Sequence, residues 1–172
     1  MFQIHDTVLY GADGVCTITG TEHKAIGGTT ATYYVLKPVY NPSSTIFVPT
    51  NSKQLLSKMR RILSAAEIRE IIRSMPAEDA LWIENEAERK ARYRTVLASG
   101  DRTELVRMIK ALYLHQQEQQ TKGRKLHLSD ERFFKEAEKL LYDEFALVLN
   151  IKREQVLPFI MQEAGVEEKK SV

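Results

Sequence analysis

The distribution of glycine and of basic residues divides this chain into two parts. Five of its eight glycines lie in the first fifty residues, together with only Lys24 and Lys37 of the 25 lysines and arginines. Short β-branched runs separated by glycine favour strands joined by tight turns, whereas the remaining 122 residues carry the periodicity of helices. We therefore expect a small sheet domain followed by a helical domain, a fold of the α+β class.

Four β-branched or aromatic runs in the first part predict strands, at residues 7–10, 14–19, 32–39 and 45–48. A short run at 54–56 is suited to close the sheet. Strands this short are unstable as isolated hairpins, so we expect an antiparallel β-barrel over residues 1–56, with one edge strand still open. Pro49 lacks an N–H group and marks a strand end or an edge. Tyr33 and Tyr34 point to opposite faces, which predicts one in the core and one on the surface.

The helical domain begins at a capping box, Ser64 with Glu67, after a linker at residues 57–63. Pro76 suits the first turn of a second helix that runs to residue 97, either unbroken or with a break near Asn85. Gly100 is placed to end that helix in a left-handed conformation. We expect about five helices, which form an all-α bundle over residues 64–165.

The rest of the bundle follows from caps and apolar spacing. Asp101 with Glu104 predicts the start of a helix that turns Leu105, Ile109, Leu112 and Tyr113 inward and frays at residues 116–120. Ser129 is expected to cap a long helix. A final helix near 153–164 ends at Gly165, and residues 166–172 are expected to be disordered.

Charge and cysteine content narrow the function classes. The first fifty residues hold two basic and three acidic residues, a net charge of −1, and the rest holds 23 against 20, a net of +3, so we assign the cationic character to the helical part. The single cysteine, Cys16, lies in a strand pattern and is expected to be a buried structural thiol. Because neither a signal peptide nor a membrane span is present, we expect a cytoplasmic protein without a membrane partner.

No catalytic or metal-binding pattern emerges from the sequence. The four histidines are scattered without ligand spacing, and no phosphate-binding loop, nucleophile elbow or paired-carboxylate motif occurs. The sequence therefore predicts a protein that is not an enzyme and that needs no cofactor and no metal.

Three basic clusters are candidates for contact with phosphate. One covers residues 89–94 and follows the acidic Glu84, Glu86 and Glu88; the second is Lys122, Arg124 and Lys125, followed by Arg132; the third is Lys53, Lys58, Arg60 and Arg61 in the segment 51–63. The first two clusters are equally compatible with an ordinary solvated surface, and for the third a solvated connector is the preferred interpretation. Trp82, the only tryptophan, is suited either to core packing or to an exposed wedge.

Five stretches taken together carry a resemblance: residues 4–10, Gly14-Val15, residues 33–37, Val48-Pro49 and residues 97–101. In order and spacing the chain resembles, over nearly its whole length, the CarD/CdnL family of bacterial RNA-polymerase-binding transcription regulators. The first part is also similar to the polymerase-interacting module of transcription-repair coupling factors, but the helicase motifs of those proteins are absent.

The resemblance implies a Tudor or SH3-like barrel that adds its edge strand to the RNA polymerase β subunit. It implies a helical domain that contacts promoter double-stranded DNA upstream of the −10 element and modulates the stability of the open complex, largely without reading sequence. We expect a monomer, associated with the nucleoid through polymerase. The alternative is a protein-only adaptor that bridges two protein partners.

The expected contact residues form two sets. Polymerase contact is expected from the sheet residues Lys24, Val35, Lys37, Ile46, Phe47, Val48 and Pro49. DNA contact is expected from the helical residues Trp82, Glu86, Arg89, Lys90, Arg92, Lys122, Arg124, Lys125 and Arg132.

Two positions depart from the family's pattern. The family's wedge tryptophan would fall at about Glu86, whereas Trp82 lies one helical turn earlier. Either Trp82 supplies the wedge from a shifted helix, or the wedge is absent and phosphate contacts replace it; we expect the second. A basic position before Val48-Pro49 is Phe47 here, so an apolar contact is expected to replace a salt contact.

Overall fold

The structure, a computed structural model, describes residues 2–165. The tail that we expect to be disordered lies outside the described residues. The chain forms two compact units. The sheet unit comprises the residues up to Ile62 together with Ala98–Gly100, and the helical unit comprises Leu63–Leu97 together with the residues from Asp101 onward.

Five antiparallel strands build the sheet unit. They are β1 (Thr7–Tyr10), β2 (Gly14–Ile26), β3 (Thr29–Pro38), β4 (Ile46–Pro49) and β5 (Met59–Arg61). The strand order is β4-β3-β2-β1-β5, so β4 and β5 are the two edge strands.

The hairpin of β2 and β3 is longer than the sequence pattern predicts. Its two-residue loop is Gly27-Gly28, and both glycines have positive φ, at 60° and 81°. A two-residue loop of this kind needs positive φ at both positions, which glycine adopts without a steric penalty. The strands therefore stay paired up to Ile26 and Thr29, beyond the polar residues at which we expected them to end.

The core of the sheet unit consists of side chains from one face of the sheet: Val8, Tyr10, Cys16, Ile18, Leu36, Val48 and Met59. Cys16 is fully buried, and this burial raises the pKa of its thiol to about 12. A thiol that stays protonated at neutral pH is a poor nucleophile, so the expectation of a structural cysteine is confirmed.

The fifth strand lies later than we expected. Residues 53–56 form a short helix, α1 (Lys53–Leu56), whose first turn is capped when the Ser52 hydroxyl accepts a hydrogen bond from the Leu55 amide at 3.3 Å. β5 instead uses Met59–Arg61, inside the segment expected to be a linker, and pairs Met59 with Tyr10. The sequence Met-Arg-Arg contains only one apolar residue, so it shows no visible alternation.

As far as residue 165, the helical unit contains five helices of eight or more residues. They are α2 (Ala65–Ser74), α3 (Glu86–Ser99), α4 (Arg102–Thr121), α5 (Leu128–Leu149) and α6 (Val156–Glu163). Both bonds of the capping box are present: the Glu67 amide donates to Ser64 Oγ at 3.1 Å, and the Ser64 amide donates to Glu67 Oε1 at 3.2 Å. Gly100 takes the left-handed φ of 66° that we expected.

The helix predicted to start near Pro76 does not form. Met75–Ala77 is a single 3₁₀ turn, and the chain then stays irregular until Asn85, whose side chain accepts from the Glu88 amide at 3.0 Å and caps α3. Lys110 of α4 donates to the carbonyls of Met75, Pro76 and Glu78 at 2.6 to 3.3 Å. These bonds satisfy carbonyl groups that would otherwise accept hydrogen bonds within a helix. The segment can therefore stay irregular without leaving these carbonyls unpaired.

Three smaller expectations in the helical part are also wrong. Residues 116–120 do not fray, because α4 continues to Thr121. α5 begins at Leu128, with His127 and not Ser129 at its cap position. Leu105 and Leu112 are buried as expected, but Tyr113 is 51% exposed, because α4 turns Met108 and Ala111 inward instead.

Two apolar clusters fill the helical unit. One joins α2 and α6 to α5, and the other joins α3 to α4 and α5. Beside them Arg102 forms a buried bidentate pair with Glu144, in which Nε donates to Oε1 at 2.9 Å and Nη2 donates to Oε2. Glu144 also accepts from the Leu63 amide at 3.1 Å, so one buried carboxylate fixes the start of this unit.

The unit boundary reverses our assignment of charge. Residues 1–62 hold six basic and three acidic residues, a net of +3, because Lys53, Lys58, Arg60 and Arg61 belong to the sheet unit. Residues 63–172 hold 19 basic and 20 acidic residues, a net of −1. The cationic surplus therefore lies in the sheet unit. Within residues 2–165, no helix is long and apolar enough to cross a membrane.

Candidate functional site

The β4 edge of the sheet offers backbone groups for pairing. The Thr50 amide, just after β4, donates to the Thr32 carbonyl at 3.0 Å. Because successive residues of a strand direct their backbone groups to alternate sides, Ile46 and Val48 bond toward β3, and Phe47 and Pro49 point to the open edge. Pro49 therefore lacks its N–H where no neighbour strand needs one, as expected for an edge.

Lys24, Phe47 and Tyr33 form a cluster on the outer face of the sheet. The Lys24 ammonium lies 4.2 Å from the centre of the Phe47 ring. Tyr33 meets the same ring edge-on, with 6.3 Å between ring centres and 82° between ring planes. Such cation–π and T-shaped contacts are each favourable by about 0.5 to 1 kcal/mol at exposed sites, so the cluster holds Lys24 over the β4 edge.

Strand register separates the seven expected polymerase-facing residues into two groups. Cross-strand partners share a face, and Val35 pairs with Phe47 while Tyr33 pairs with Pro49. One group lies on the outer face: Lys24, Val35, Lys37, Phe47 and Pro49. Ile46 and Val48 lie on the core face, and their backbone groups bond toward β3. Val48 is 0% exposed and offers a partner neither backbone nor side chain, whereas the Ile46 side chain is half-buried. Sequence analysis missed Tyr33 as part of the cluster, although its alternation with Val35 carried that signal.

Arg89 is not a surface cation, contrary to our expectation. It is 3% exposed and forms a bidentate pair with Asp130, which is 0% exposed, through Nε–Oδ1 at 3.0 Å and Nη2–Oδ2 at 2.9 Å. Its Nη1 donates to the carbonyls of Ile83 and Glu84 at 2.9 and 3.3 Å. Both charges are thus hydrogen-bonded, which is the condition for burying an ion pair.

Trp82 lies in the irregular segment before α3 and is half-buried. The His115 ring stacks on its indole with 4.0 Å between centres and a 26° tilt, and the Arg89 guanidinium carbon lies 4.4 Å from the ring centre. Both groups therefore pack against the indole. The indole N–H donates to Glu84 Oε1 at 3.1 Å. Trp82 is therefore neither on a shifted helix nor free to enter a base step in this conformation.

The same segment is also anchored by Tyr93 and Arg107, donors from two helices that the sequence analysis did not assign to it. Tyr93 of α3 is fully buried and donates to the Leu81 carbonyl at 2.8 Å, and Arg107 of α4 donates to the Asp79 carbonyl at 3.1 Å. Burial raises the pKa of the Tyr93 hydroxyl, so it stays a donor across the physiological range. No local signal in residues 78–85 reveals partners that lie this far along the chain.

The remaining expected DNA contacts differ in how far acids neutralise them. Lys90 pairs with Glu86 at 3.0 Å, Arg92 with Glu104 at 2.7 Å, and Lys122 with Glu118 at 3.4 Å. In the described part of the chain, no carboxylate pairs with three exposed cations: Arg124, Lys125 and Arg132. These three lie on the loop and first turns between α4 and α5, next to buried Asp130.

Glu86, near which we expected the family's wedge position to fall, is exposed. The hydrogen bond from Lys90, and then its positive charge, lower the pKa of the Glu86 carboxyl. The side chain is therefore an anion at neutral pH, which opposes rather than favours contact with a phosphate.

The fold and these two surfaces define a class of protein in which a Tudor-like sheet domain with an open edge precedes an α-helical domain. Residues 2–63 match the CarD-like/TRCF RID domain, and residues 67–161 match the CarD C-terminal domain. The second match alone covers more than half of the chain, so the protein belongs to the CarD/CdnL family. A comparison with curated proteins found no match.

Membership of this family fixes the general activity. RID domains interact with RNA polymerase, and CarD proteins are non-enzymatic regulators of transcription. The chain is accordingly a transcription-associated regulator of the polymerase-interacting kind.

Asp130→Asn should strongly destabilise the helical unit, because it leaves the Arg89 charge buried without a counter-ion. Removal of one partner of a buried pair typically costs about 3 to 5 kcal/mol. Urea unfolding followed by circular dichroism measures this loss. The adjacent Glu131→Gln makes the same chemical change in an exposed pair with Lys135 and should shift the midpoint far less. Equal shifts for the two variants would contradict the importance of the buried pair.

Proposed function

We propose that this protein is a bacterial transcription regulator that binds the RNA polymerase β subunit through its sheet unit and promoter DNA upstream of the −10 element through its helical unit. It modulates the stability of the open complex and catalyses no reaction. The observation that carries the proposal is the open β4 edge with the Lys24–Phe47 cluster beside it. We further propose that it acts as a monomer in the cytoplasm, located at the nucleoid through polymerase.

Binding at the edge uses strand addition. An extended partner segment pairs with the outward N–H and carbonyl of Phe47, and this pairing needs no pocket. Pro49 has no N–H to donate, and its carbonyl already accepts from the Ser52 amide at 3.4 Å. Specificity comes from the outer face, where Lys24 supplies a positive charge and Phe47 supplies an apolar ring. This combination suits a β-subunit strand that places an acidic residue beside an apolar one.

The DNA contact uses Arg124, Lys125 and Arg132. Cations without an acidic partner gain most when they neutralise phosphates, since no existing ion pair has to be broken. Contacts with phosphate position a protein on the duplex without reading its sequence. Binding that is stronger on the open-complex form of the promoter than on the closed form shifts that equilibrium toward the open form.

No tryptophan wedge takes part in this mechanism. Trp82 packs against His115 and Arg89, and the wedge position is the anionic Glu86. Phosphate contacts replace the wedge, and the effect on the open complex depends on salt more than on base-step geometry.

A protein-only adaptor is the second candidate. The net charge of −1 over residues 63–172, and the many ion pairs on the helices, favour it specifically. Duplex binding by the whole chain distinguishes the two, because an adaptor shows none at physiological salt.

Lys24→Glu, or Phe47→Ala, should weaken β-subunit binding at least tenfold, because the first reverses the charge beside the β4 edge and the second removes the apolar ring. Surface plasmon resonance with the immobilised β subunit measures the Kd. Arg60→Glu makes the same kind of charge change on the other edge strand and should leave the Kd within about twofold. An unchanged Kd for both the Lys24 and the Phe47 variant would reject this docking face.

The triple variant R124Q/K125Q/R132Q should bind duplex DNA more weakly on every sequence tested. Each phosphate contact contributes about 0.9 to the slope of log K against log salt, so the slope should fall by up to about 2.7. Fluorescence anisotropy over a salt series measures both values. The matched control R69Q/R73Q/K135Q removes three exposed cations that have glutamate partners. A slope that is the same in both triple variants would contradict a specific contact.

Saturating duplex DNA should leave the emission maximum of Trp82 unchanged, because its indole is already packed against His115 and Arg89. Trp82 is the only tryptophan, so intrinsic fluorescence reports on it alone. Strong quenching on DNA, together with weaker DNA binding by a folded Trp82→Phe variant, would show instead that the residue leaves its packed position and acts as a wedge.

A further inference from the structure

The basic segment that joins β4 to the helical unit has no role in the proposed function. From His23 to Ala66 the chain contains no aspartate or glutamate. The same stretch contains six basic residues: Lys24, Lys37, Lys53, Lys58, Arg60 and Arg61. Four of the six fall within nine residues, on α1, on β5 and between them.

Three of these cations, Lys53, Lys58 and Arg60, reach the surface without an ionic partner in the described residues. Lys53 and Arg60 are exposed, and Lys58 is half-buried. No ion pair with Lys53, Lys58 or Arg60 occurs among residues 2–165. Arg61 donates from Nη1 to the Ile62 carbonyl at 3.2 Å.

The strand pairing fixes where this surface lies. Met59 pairs with Tyr10 and points into the core. Its neighbour Arg60 pairs with Leu9 and therefore projects from the other face of β5. The Lys58 carbonyl accepts from the Gly11 amide at 3.2 Å, which holds the backbone between α1 and β5. The cations are therefore carried by paired backbone of the sheet unit and not by a loose linker.

The helical unit shows the contrasting arrangement. Outside Arg124, Lys125 and Arg132, many of its surface cations pair with acids within one turn, such as Lys90 with Glu86, Lys122 with Glu118 and Lys135 with Glu131. A phosphate that approaches such a pair meets little net charge. A phosphate that approaches Lys53, Lys58 and Arg60 meets positive charge alone.

The kind of partner follows from the absence of an apolar anchor. A protein interface is centred on buried aromatic or aliphatic side chains. The large apolar side chains that are exposed in the described residues all lie outside 50–63: Ile4, Ile26, Tyr40, Tyr113, Leu114, Leu128 and Leu157. A surface of uncompensated cations without an anchor fits a polyanion.

We propose that Lys53, Lys58 and Arg60 bind the phosphate backbone of duplex DNA, so that the sheet unit contacts nucleic acid as well as polymerase. The inference extends the DNA contact of the proposed function to a second unit. It makes the sheet unit more than a polymerase anchor, since part of the salt dependence of DNA binding then arises from this surface.

The test uses the full chain and a fluorescein-labelled duplex, with anisotropy measured over a salt series. K53Q/K58Q/R60Q should lower the slope of log K against log salt by up to about 2.7 and raise the Kd at least tenfold near 0.1 M salt. The control R69Q/R73Q/K135Q loses the same formal charge at sites with glutamate partners and should change the Kd less than about threefold. Circular dichroism confirms that both variants remain folded.

The outcomes decide whether Lys53, Lys58 and Arg60 bind duplex DNA. Unchanged DNA binding by K53Q/K58Q/R60Q, or equal weakening by the control, overturns the inference. If R124Q/K125Q/R132Q weakens binding while K53Q/K58Q/R60Q does not, the proposed function stands and the inference alone fails. Loss of β-subunit binding with unchanged DNA binding in K53Q/K58Q/R60Q would assign the surface to a protein partner and would also overturn it.

Discussion

A buried ion pair between Arg89 and Asp130 organises the end of the helical unit where the proposed DNA contacts lie. Desolvated charges are tolerated only when every polar atom is satisfied, and Arg89 meets this condition with Asp130 and with the carbonyls of Ile83 and Glu84. The pair thereby fixes the irregular segment before α3, covers one face of Trp82 and ties α3 to the start of α5. Two expected DNA contacts, Arg89 and Trp82, are structural for this reason.

The two units present function in different ways. In the sheet unit, alternation along β4 sends Val48 into the core and directs the backbone of Phe47 to the open edge, so backbone geometry creates the surface that the β subunit is proposed to meet. In the helical unit, neighbouring acids neutralise most cations. The surface proposed to contact DNA consists of the exposed cations that have no carboxylate partner. Local charge therefore identifies candidate contacts better than totals do, as the reversal of the charge assignment at residue 62 illustrates.

Features that depend on neighbouring residues were predictable. The Gly27-Gly28 turn, the Ser64–Glu67 capping box and the left-handed Gly100 all arise from interactions within about four residues, which the sequence displays directly. Family membership was predictable for the same reason, because it rests on short ordered motifs. The helix expected after Pro76 was not, because residues of good helical propensity there are held irregular by Lys110, which lies 32 to 35 positions further on.

The sequence by itself determined the two-part architecture, the turns, most caps, the buried thiol and the family. Tertiary structure alone decided which charged and aromatic residues remain at the surface. Arg89 and Asp130 are 41 positions apart, and Trp82 and His115 meet only because α4 packs beside the irregular segment. Periodicity places a residue on a face of its own element, but whether another element covers that face depends on packing between segments that are distant in the chain.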